Sequence, residues 1–405
     1  MTIDNDELEA IGARLTDSIL ASYERSSRLN YRSYRRALEL SGLADAHLTV
    51  REAVQSTARN FATAELLYLQ ADPEYPMIVK MISVPGKSSG GPNPDCNYQQ
   101  ASLHGDHSYR ISGNRGSAAL FDIQVNTSSP ADPMNARFVS SLDAMGYEIA
   151  PGEDMEVVLS TEKHDGHWLP LPEGAATILI RQVYNDWDNE SPAMLVIERV
   201  GASYPPPPPT PEQLEKRVQA MNSYLHNLTD VLQLVAANYL KEGANSLHHI
   251  PIPSTLGFAA YEYLWGNYVC KSDEAVVLEF KMPRTRYGAV NIHNLVGDDA
   301  EFHLRHTSIN GYQGQTDSDG IFRVVISHDD PGTRNWLDAS GRGSALLAAR
   351  FYKPDEVPVP RLKVVPFDKV RDYLPKDTAL VTPAERQEIM RRRLLSVYRR
   401  LITDY

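Results

Sequence analysis

The sequence predicts an α+β chain of two related antiparallel β-sandwich domains of jelly-roll type, with helices at the N-terminus, between the domains and at the C-terminus. Three observations carry that expectation. One pattern is used twice: His167-Trp168-Leu169-Pro170, Gly174 and an apolar run with Arg181 read like Asn335-Trp336-Leu337-Asp338, Gly343 and a run with Arg350. Each copy follows a strand-like run, 154–161 and 320–327, so the repeat reads as a duplicated strand–loop–strand unit with chemistry on its Trp-containing loops. Next, five prolines follow Tyr204; each ring fixes φ and removes a donor, giving a stiff strut between domains. Last, three quartets of capping-box type, Thr49-Val50-Arg51-Glu52, Thr210-Pro211-Glu212-Gln213 and Thr382-Pro383-Ala384-Glu385, open helices outside the β runs.

In chain order, residues 1–76 read as helical, with Leu8, Ile11, Leu15 and Ile19 at helical spacing and a second helix opening at Thr49. Asp72-Pro73 and Tyr75-Pro76 stop the helices, because the residue before proline avoids the α region. The first β-domain, 77–203, has strand-like runs at 117–125, 154–161, 175–184 and 193–200. Residues 204–274 hold the strut and a long helix with Pro211 at its first position and a stripe of Leu214, Val218, Met221, Leu225, Leu228 and Leu232. The second β-domain, 275–370, has strands expected at 275–280, 287–295, 301–305, 321–327 and 344–352, with Gly320 ending a turn that needs positive φ. The last segment, 371–405, carries a helix with Arg386, Arg391, Arg392, Arg393, Arg399 and Arg400. It reads as a solvated face or an intersubunit contact, the latter making the chain a homo-oligomer.

Composition narrows the function classes. A chain of 405 residues with a net charge of −12 has room for two cores and lacks the basic balance that nucleic acid rewards. The two cysteines, Cys96 and Cys270, form no CxxC pair, so neither a thiolate metal site nor a disulfide framework is expected. A start without a basic and apolar leader and the lack of a membrane-length apolar run fit a cytoplasmic protein with no membrane partner. There is no GxGxxG after a strand, no GxxxxGK[ST], no GxSxG and no HExxH, so no cofactor and no metal is expected. Tyrosine outnumbers phenylalanine 21 to 9, which offers ring walls with polar tips to an aromatic ligand as well as ordinary strand residues.

The second β-domain holds the densest polar cluster. On 287–295, Val290 and Ile292 share a face with Asn294, while Tyr287, Asn291 and His293 face the other way. On 321–328, Phe322, Val324, Ile326 and His328 share a face, so His328 is expected at the rim of an apolar interior, where a histidine is either a hydrogen-bonded structural residue or a tuned proton carrier. Arg350 and its counterpart Arg181 sit among apolar neighbours and must meet an acid or another oxygen. The expected catalytic set is therefore His328, His293, Arg350 and Tyr287. Trp336, Asn335, Asp338, Asn294, Tyr261, Arg305, Asn97 and Tyr98 are expected to bind substrate, the last two at the seam between the domains.

The segments Tyr287-Gly288-Ala289-Val290-Asn291-Ile292-His293-Asn294-Leu295, Arg305-His306-Thr307-Ser308-Ile309-Asn310-Gly311, Asp319-Gly320-Ile321-Phe322-Arg323-Val324-Val325 and His328-Asp329-Asp330-Pro331-Gly332-Thr333-Arg334-Asn335-Trp336-Leu337-Asp338 resemble the bacterial domain-of-unknown-function family numbered 1214. The stretch from Pro94 to Tyr184 resembles it more loosely, and the flanking helices and strut lie outside it. The resemblance implies antiparallel β-sandwiches and supplies no chemistry or cofactor.

Three function classes fit these residues. The first is a cofactor-independent lyase releasing formaldehyde or water from a hydroxylated aromatic molecule, whose ring can take up electrons once deprotonated, so that acid/base groups suffice. The others are a hydrolase built from the same groups and a non-catalytic carbohydrate- or lipid-binding protein. The lyase is the leading expectation.

Overall fold

The structure, a computed structural model, describes residues 5–41, 46–81, 91–128, 136–241, 243–250, 257–258, 260–295 and 297–402. Helices α1 (Asn5–Ser41) and α2 (Ala46–Ala64) form a hairpin, extended by one π-helical turn at Glu65–Leu69. The expected cap at Thr49 is corrected: α2 begins at Ala46, and Glu52 pairs at 2.6 Å with Arg342 of the second sandwich. Asn294 likewise donates to the Tyr34 hydroxyl at 2.7 Å, so the N-terminal hairpin docks on the second sandwich.

The first sandwich follows: β1 (Val79–Lys80), β2 (Cys96–His104), β3 (Tyr109–Asn114), β4 (Leu120–Thr127), β5 (Phe138–Ser141), the single helical turn α3 (Leu142–Met145), β6 (Asp154–Ser160), β7 (Trp168–Pro170), β8 (Ala175–Val183) and β9 (Met194–Arg199). A five-stranded sheet of order β1-β2-β8-β4-β5 covers a four-stranded sheet of order β7-β6-β3-β9. Ile123, Ile178 and Ile180 of one sheet meet Ile111, Val157 and Leu159 of the other, the alternation that a half-buried strand demands. The strut then leads into α4 (Pro211–Lys241), capped as expected by reciprocal bonds between Thr210 and Gln213. Val218, Met221 and Leu225 of its stripe are buried, whereas the side chains of Leu228 and Leu232 lie outside the described residues. The helix runs parallel to α1, with contacts from Glu215 to Arg14, Asn222 to Ser18 and His226 to Ser22.

The second sandwich comprises β10 (Ser246–His249), β11 (Tyr261–Val269), β12 (Glu274–Lys281), β13 (Gly288–His293), β14 (Ser308–Asn310), β15 (Ile321–Ser327), β16 (Trp336–Asp338), β17 (Ser344–Tyr352) and β18 (Arg361–Pro366). Its sheets have the orders β10-β11-β17-β13-β14 and β16-β15-β12-β18, which are the orders of the first sandwich with nine added to every strand number. The duplication is therefore complete, strand by strand. Three expectations are corrected. The second sandwich begins at Ser246, inside the expected linker, and 301–305 is a turn rather than a strand, with Glu301 at φ 59°. The Trp-containing segments, expected as loops bearing chemistry, are the short strands β7 and β16, paired in parallel with β6 and β15.

A 3-10 helix at Phe367–Tyr373 and helix α5 (Pro383–Ile402) close the chain, and Thr382 and Glu385 form the expected capping box. Among the described residues no helix is long and apolar enough to cross a membrane.

Candidate functional site

The two five-stranded sheets meet face to face, and their outer sides make the seam of the molecule. Tyr261, Tyr263, Trp265, Tyr287 and Leu346 of the second sandwich pack there with Cys96, Leu120 and Val183 of the first, beside the half-buried Tyr98. Arg350 on β17 is buried in this seam and donates to the Asn291 side-chain oxygen and to the carbonyl of Gly91, 2.8 Å away. Arg181, its register-matched counterpart on β8, donates to Gln124 at 2.6 Å and to the carbonyl of Gly257 at 2.9 Å. Each arginine thus holds the segment that enters the other sandwich. Neither contacts a carboxylate within ion-pair distance among the described residues; backbone carbonyls and amides take the charge instead.

His293 belongs to the same cluster. It stacks on Trp265 at 5.1 Å, and its Nε2 receives Asn291 Nδ2 at 2.9 Å and faces Arg350 Nη2 at 3.4 Å. Two donors on one ring nitrogen require a neutral imidazole with its proton on Nδ1, and burial beside the Arg350 charge pushes the pKa well below the ordinary range. Burial also raises the phenols of Tyr98, Tyr261, Tyr263 and Tyr287, so none is a phenolate at neutral pH. Tyr287 donates to Asp95 at 2.7 Å, and Asn97 donates to the Tyr184 hydroxyl at 3.1 Å. The structure therefore brings together five of the expected residues, Arg350, His293, Tyr287, Tyr261 and Tyr98, with Asn97 next to Tyr98 on β2. It does so in a packed interface rather than an open pocket.

The other expected residues lie outside this cluster. His328 is beyond the end of β15, with Nε2 against the Cys270 carbonyl at 3.0 Å. Trp336 donates to the Ser327 hydroxyl at 3.0 Å, while Asn335 is locked by the backbone of Gln315 and Arg323. Asp338 accepts the Ser340 amide at 2.7 Å, and the half-exposed Arg305 approaches it at 3.6 Å. Asn294 is the anchor for Tyr34 described above. These are turn-fixing and docking roles.

An open pocket of about 170 Å³ lies at one end of the seam, where the segment after β8, the segment around β14 and α5 converge. Trp187, Tyr312 and Ile389 form its walls, and Arg334, Arg392, Arg393, His306, Gln313 and Asp188 bring polar groups. Trp187 is fixed by donating to the fully buried Asp95 at 2.7 Å, which ties the pocket to the seam, since Asp95 also accepts from Tyr287. The guanidinium groups of Arg393 and Arg400 both lie over its indole ring, at 4.5 and 4.4 Å, a favourable placement of cations on a ring face.

His306 stacks on Trp336 and holds its Nδ1 against the Trp336 carbonyl. A carbonyl only accepts, so Nδ1 carries the proton and Nε2 keeps a lone pair. Burial, with the charges of Arg393 and Arg386, holds the imidazole pKa well below the ordinary value, and Nε2 has no hydrogen-bond partner among the described residues.

Sequence reasoning missed this pocket because it took the C-terminal arginines as one solvated set. Arg386, Arg393 and Arg400 are 6%, 5% and 4% exposed, and they recur every seven residues, which puts them on one helix face. That spacing was the signal available. Arg386 meets Asp330 at 2.9 Å, Arg393 donates to the carbonyls of Phe302 and Ser308, and Arg400 donates to the carbonyl of Pro94. The expectation of a solvated or intersubunit face is corrected for these three. Among the described residues no group of three or more His, Cys, Asp or Glu is placed to hold a metal ion.

No protein of curated function matches the chain. Among solved structures, an uncharacterised protein from Burkholderia cenocepacia superposes with a TM-score of 0.79 at 23% identity, over 88% of this chain and 98% of the other, which shows a shared fold. A protein from Vibrio parahaemolyticus aligns over 84% of this chain and 100% of its own, at 13% identity and a TM-score of 0.44. Residues 290–356, the stretch from β13 to just beyond β17 that supplies His306, Tyr312 and Arg334, match the family described as protein of unknown function DUF1214, the family that the sequence motifs resemble.

Proposed function

We propose that the chain is a cofactor-independent lyase acting on a hydroxylated aromatic small molecule, with the pocket under α5 as its site and His306, rather than His328, as its proton carrier. One observation carries the reading: a neutral buried imidazole, with no hydrogen-bond partner for Nε2 among the described residues, lines a pocket walled by Trp187 and Tyr312. A base must present its lone pair at the substrate, and a cavity of roughly 150 Å³ already accepts a benzene ring. The step needs only proton movement. Nε2 takes the phenolic proton of a hydroxybenzyl alcohol; the oxygen electron pair moves through the ring; the benzylic C–O bond breaks. The departing hydroxide takes the proton back from the imidazolium, so water and a quinone methide leave with atoms and charge balanced.

The test is turnover of 4-hydroxybenzyl alcohols, followed by the adduct that an added thiol forms with the quinone methide. His306→Gln keeps a hydrogen-bonding side chain without the base and should lose roughly 10²–10⁴ in kcat. His328→Gln should keep full turnover. Because the pKa of His306 lies well below the ordinary histidine value, activity should be flat through neutral pH and fall only in acid, as Nε2 protonates. Ligand binding without any turnover by the wild-type protein would remove the lyase reading and leave a non-catalytic binding protein.

A further inference from the structure

The pocket under α5 contains more positive charge than its surroundings neutralise, and where that charge sits identifies a ligand group. Most arginines on α5 are met by carboxylates, Arg386 by Asp330 at 2.9 Å, and Arg392 and Arg399 both by Asp188, while Arg400, outside the pocket lining, donates to the Pro94 carbonyl. Arg342, buried beneath the N-terminal hairpin, has Glu52. Arg393 and Arg334 differ. Arg393 uses three of its five N–H groups, and all three go to neutral acceptors: the Phe302 carbonyl, the Ser308 carbonyl and the Ser308 hydroxyl. Arg334 donates Nε to the Gln313 carbonyl at 3.2 Å, and neither arginine has a carboxylate within ion-pair distance among the described residues. The nearest fully buried acid, Asp95, is occupied by Trp187, Tyr287 and Asn310. Burial, with the neighbouring charge of Arg400, drags the Arg393 pKa down to about 9 despite the charge of Asp95, as for a cation short of a counter-charge.

We infer that the ligand of this pocket carries a carboxylate, held by the outward guanidinium of Arg334 and the spare N–H groups of Arg393, so that the substrate class is an aromatic acid. The inference rests on reading this pocket as the ligand site, and not on His306 acting as a base. The planar fork of arginine matches a carboxylate in two parallel bonds, and charge-assisted bonds of this kind are the strong ones. The apolar walls, Trp187 and Ile389, explain why the anion belongs to a ring: a bare inorganic anion would leave them unfilled.

The experiment compares benzoate with benzamide, its uncharged isostere, by titration calorimetry or ligand-observed NMR on the full chain. Wild-type protein should bind benzoate roughly tenfold or more tightly than benzamide. Arg334→Gln should remove that preference and leave benzamide unchanged. Arg334 is chosen because Arg393 also docks α5, and its loss would disturb the fold. His306→Gln should keep the benzoate preference even as turnover disappears, so a failed lyase reading leaves this one standing. Equal binding of benzoate and benzamide, or a benzoate preference that survives Arg334→Gln, would overturn the carboxylate. Inorganic phosphate displacing benzoate at equal affinity would overturn the aromatic acid in favour of a simple anion site.

Discussion

On the outer face of the first sandwich's four-stranded sheet, Arg110 pairs with Glu156 and Glu198 at 3.5 and 3.4 Å in contact with solvent. At the register-matched positions the second sandwich has Val277, Arg323 and Lys363, and one part of its outer face is apolar: Ala275, Val277, Val325 and Val365 close beneath Val370 and Leu374. The two ends of the seam differ in the same way. One, between the segment after β8 and that around β14, is roofed by α5. The other, formed by the equivalent segments after β17 and β5, is an open depression of about 350 Å³ with Asp143, Tyr147, Arg286, Tyr352 and Lys353. There Lys353 is neutralised by Asp143 at 2.7 Å, whereas Arg393 and Arg334 at the roofed end have only neutral acceptors. A duplicated framework thus offers two equivalent sites. The helix added over one of them brings Arg393 beside Arg334 of the repeat, so the unneutralised charge arises only where the addition meets the repeat.

The most severe break in that comparison is removal of the seam arginines. Arg350→Met leaves the Gly91 carbonyl and the Asn291 side chain without their donor inside a packed interface and should cost about 3 kcal/mol. Arg181→Met, with Gln124 and Gly257 as its acceptors, should cost about 2 kcal/mol. The smaller figure reflects that no second ring nitrogen depends on it, as His293 does on Arg350. Denaturant midpoints at unchanged slope measure both. A change of less than roughly 0.5 kcal/mol in either variant would mean that backbone carbonyls in the seam find other donors.

The same pair marks how far the sequence reads. The matched runs around Trp168 and Trp336 and the face alternation of Val290 and Ile292 against Tyr287 and His293 were legible, because a strand with one apolar side announces its register. The capping boxes at Thr210 and Thr382 were legible for a similar local reason. The strand β2, with the sequence CNYQQASLH, was not: its seam face is polar or aromatic, so the period of two is masked. Strand β11 was assigned to the linker because both of its faces are buried and alternation vanishes. The expected site mixed two kinds of residue. Arg350, His293 and Tyr287 do converge, but the pocket depends on α5 folding back over the segment after β8. A contact between Arg393 or Arg400 and Trp187 leaves no trace in local pattern.

A milder perturbation compares the two parallel strand pairs directly. In each sandwich a serine hydroxyl accepts the tryptophan N–H at 3.0 Å and donates to a backbone carbonyl two residues on: Ser160 with Trp168 and Glu162, Ser327 with Trp336 and Asp329. The chemistry is identical and the burial is not, since Trp336 is buried and Trp168 half-buried. Ser327→Ala should therefore cost about 1–2 kcal/mol, and Ser160→Ala about 0.5 kcal/mol, because water can replace the lost acceptor only in the exposed copy. Equal losses would show that the hydroxyls act through their backbone bonds alone, which the two copies share.

An effect confined to part of the pH range concerns one position at which the sandwiches differ in charge. Asp122 on β4 pairs across from Arg181, and the residue across from Arg350 is Ala289. Asp122 is fully buried, and that burial raises its pKa from 3.8 to about 6 despite the Asp143 amide bonded to it at 3.0 Å and the charge of Arg181. The sign follows from proton counting. Between about pH 4 and pH 6 the folded chain binds more protons at this site than the unfolded chain, so the site's contribution to stability falls as pH rises through that window. Asp122→Asn keeps an acceptor for the Asp143 amide and cannot ionise. It should match the wild type near pH 4 and gain on the order of 1 kcal/mol above pH 6, read as a pH-dependent separation of the two unfolding midpoints. A gap that stays constant with pH would place the carboxylate in a better-solvated setting than its burial implies. The first sandwich would then carry its seam charge as comfortably as the second does without one.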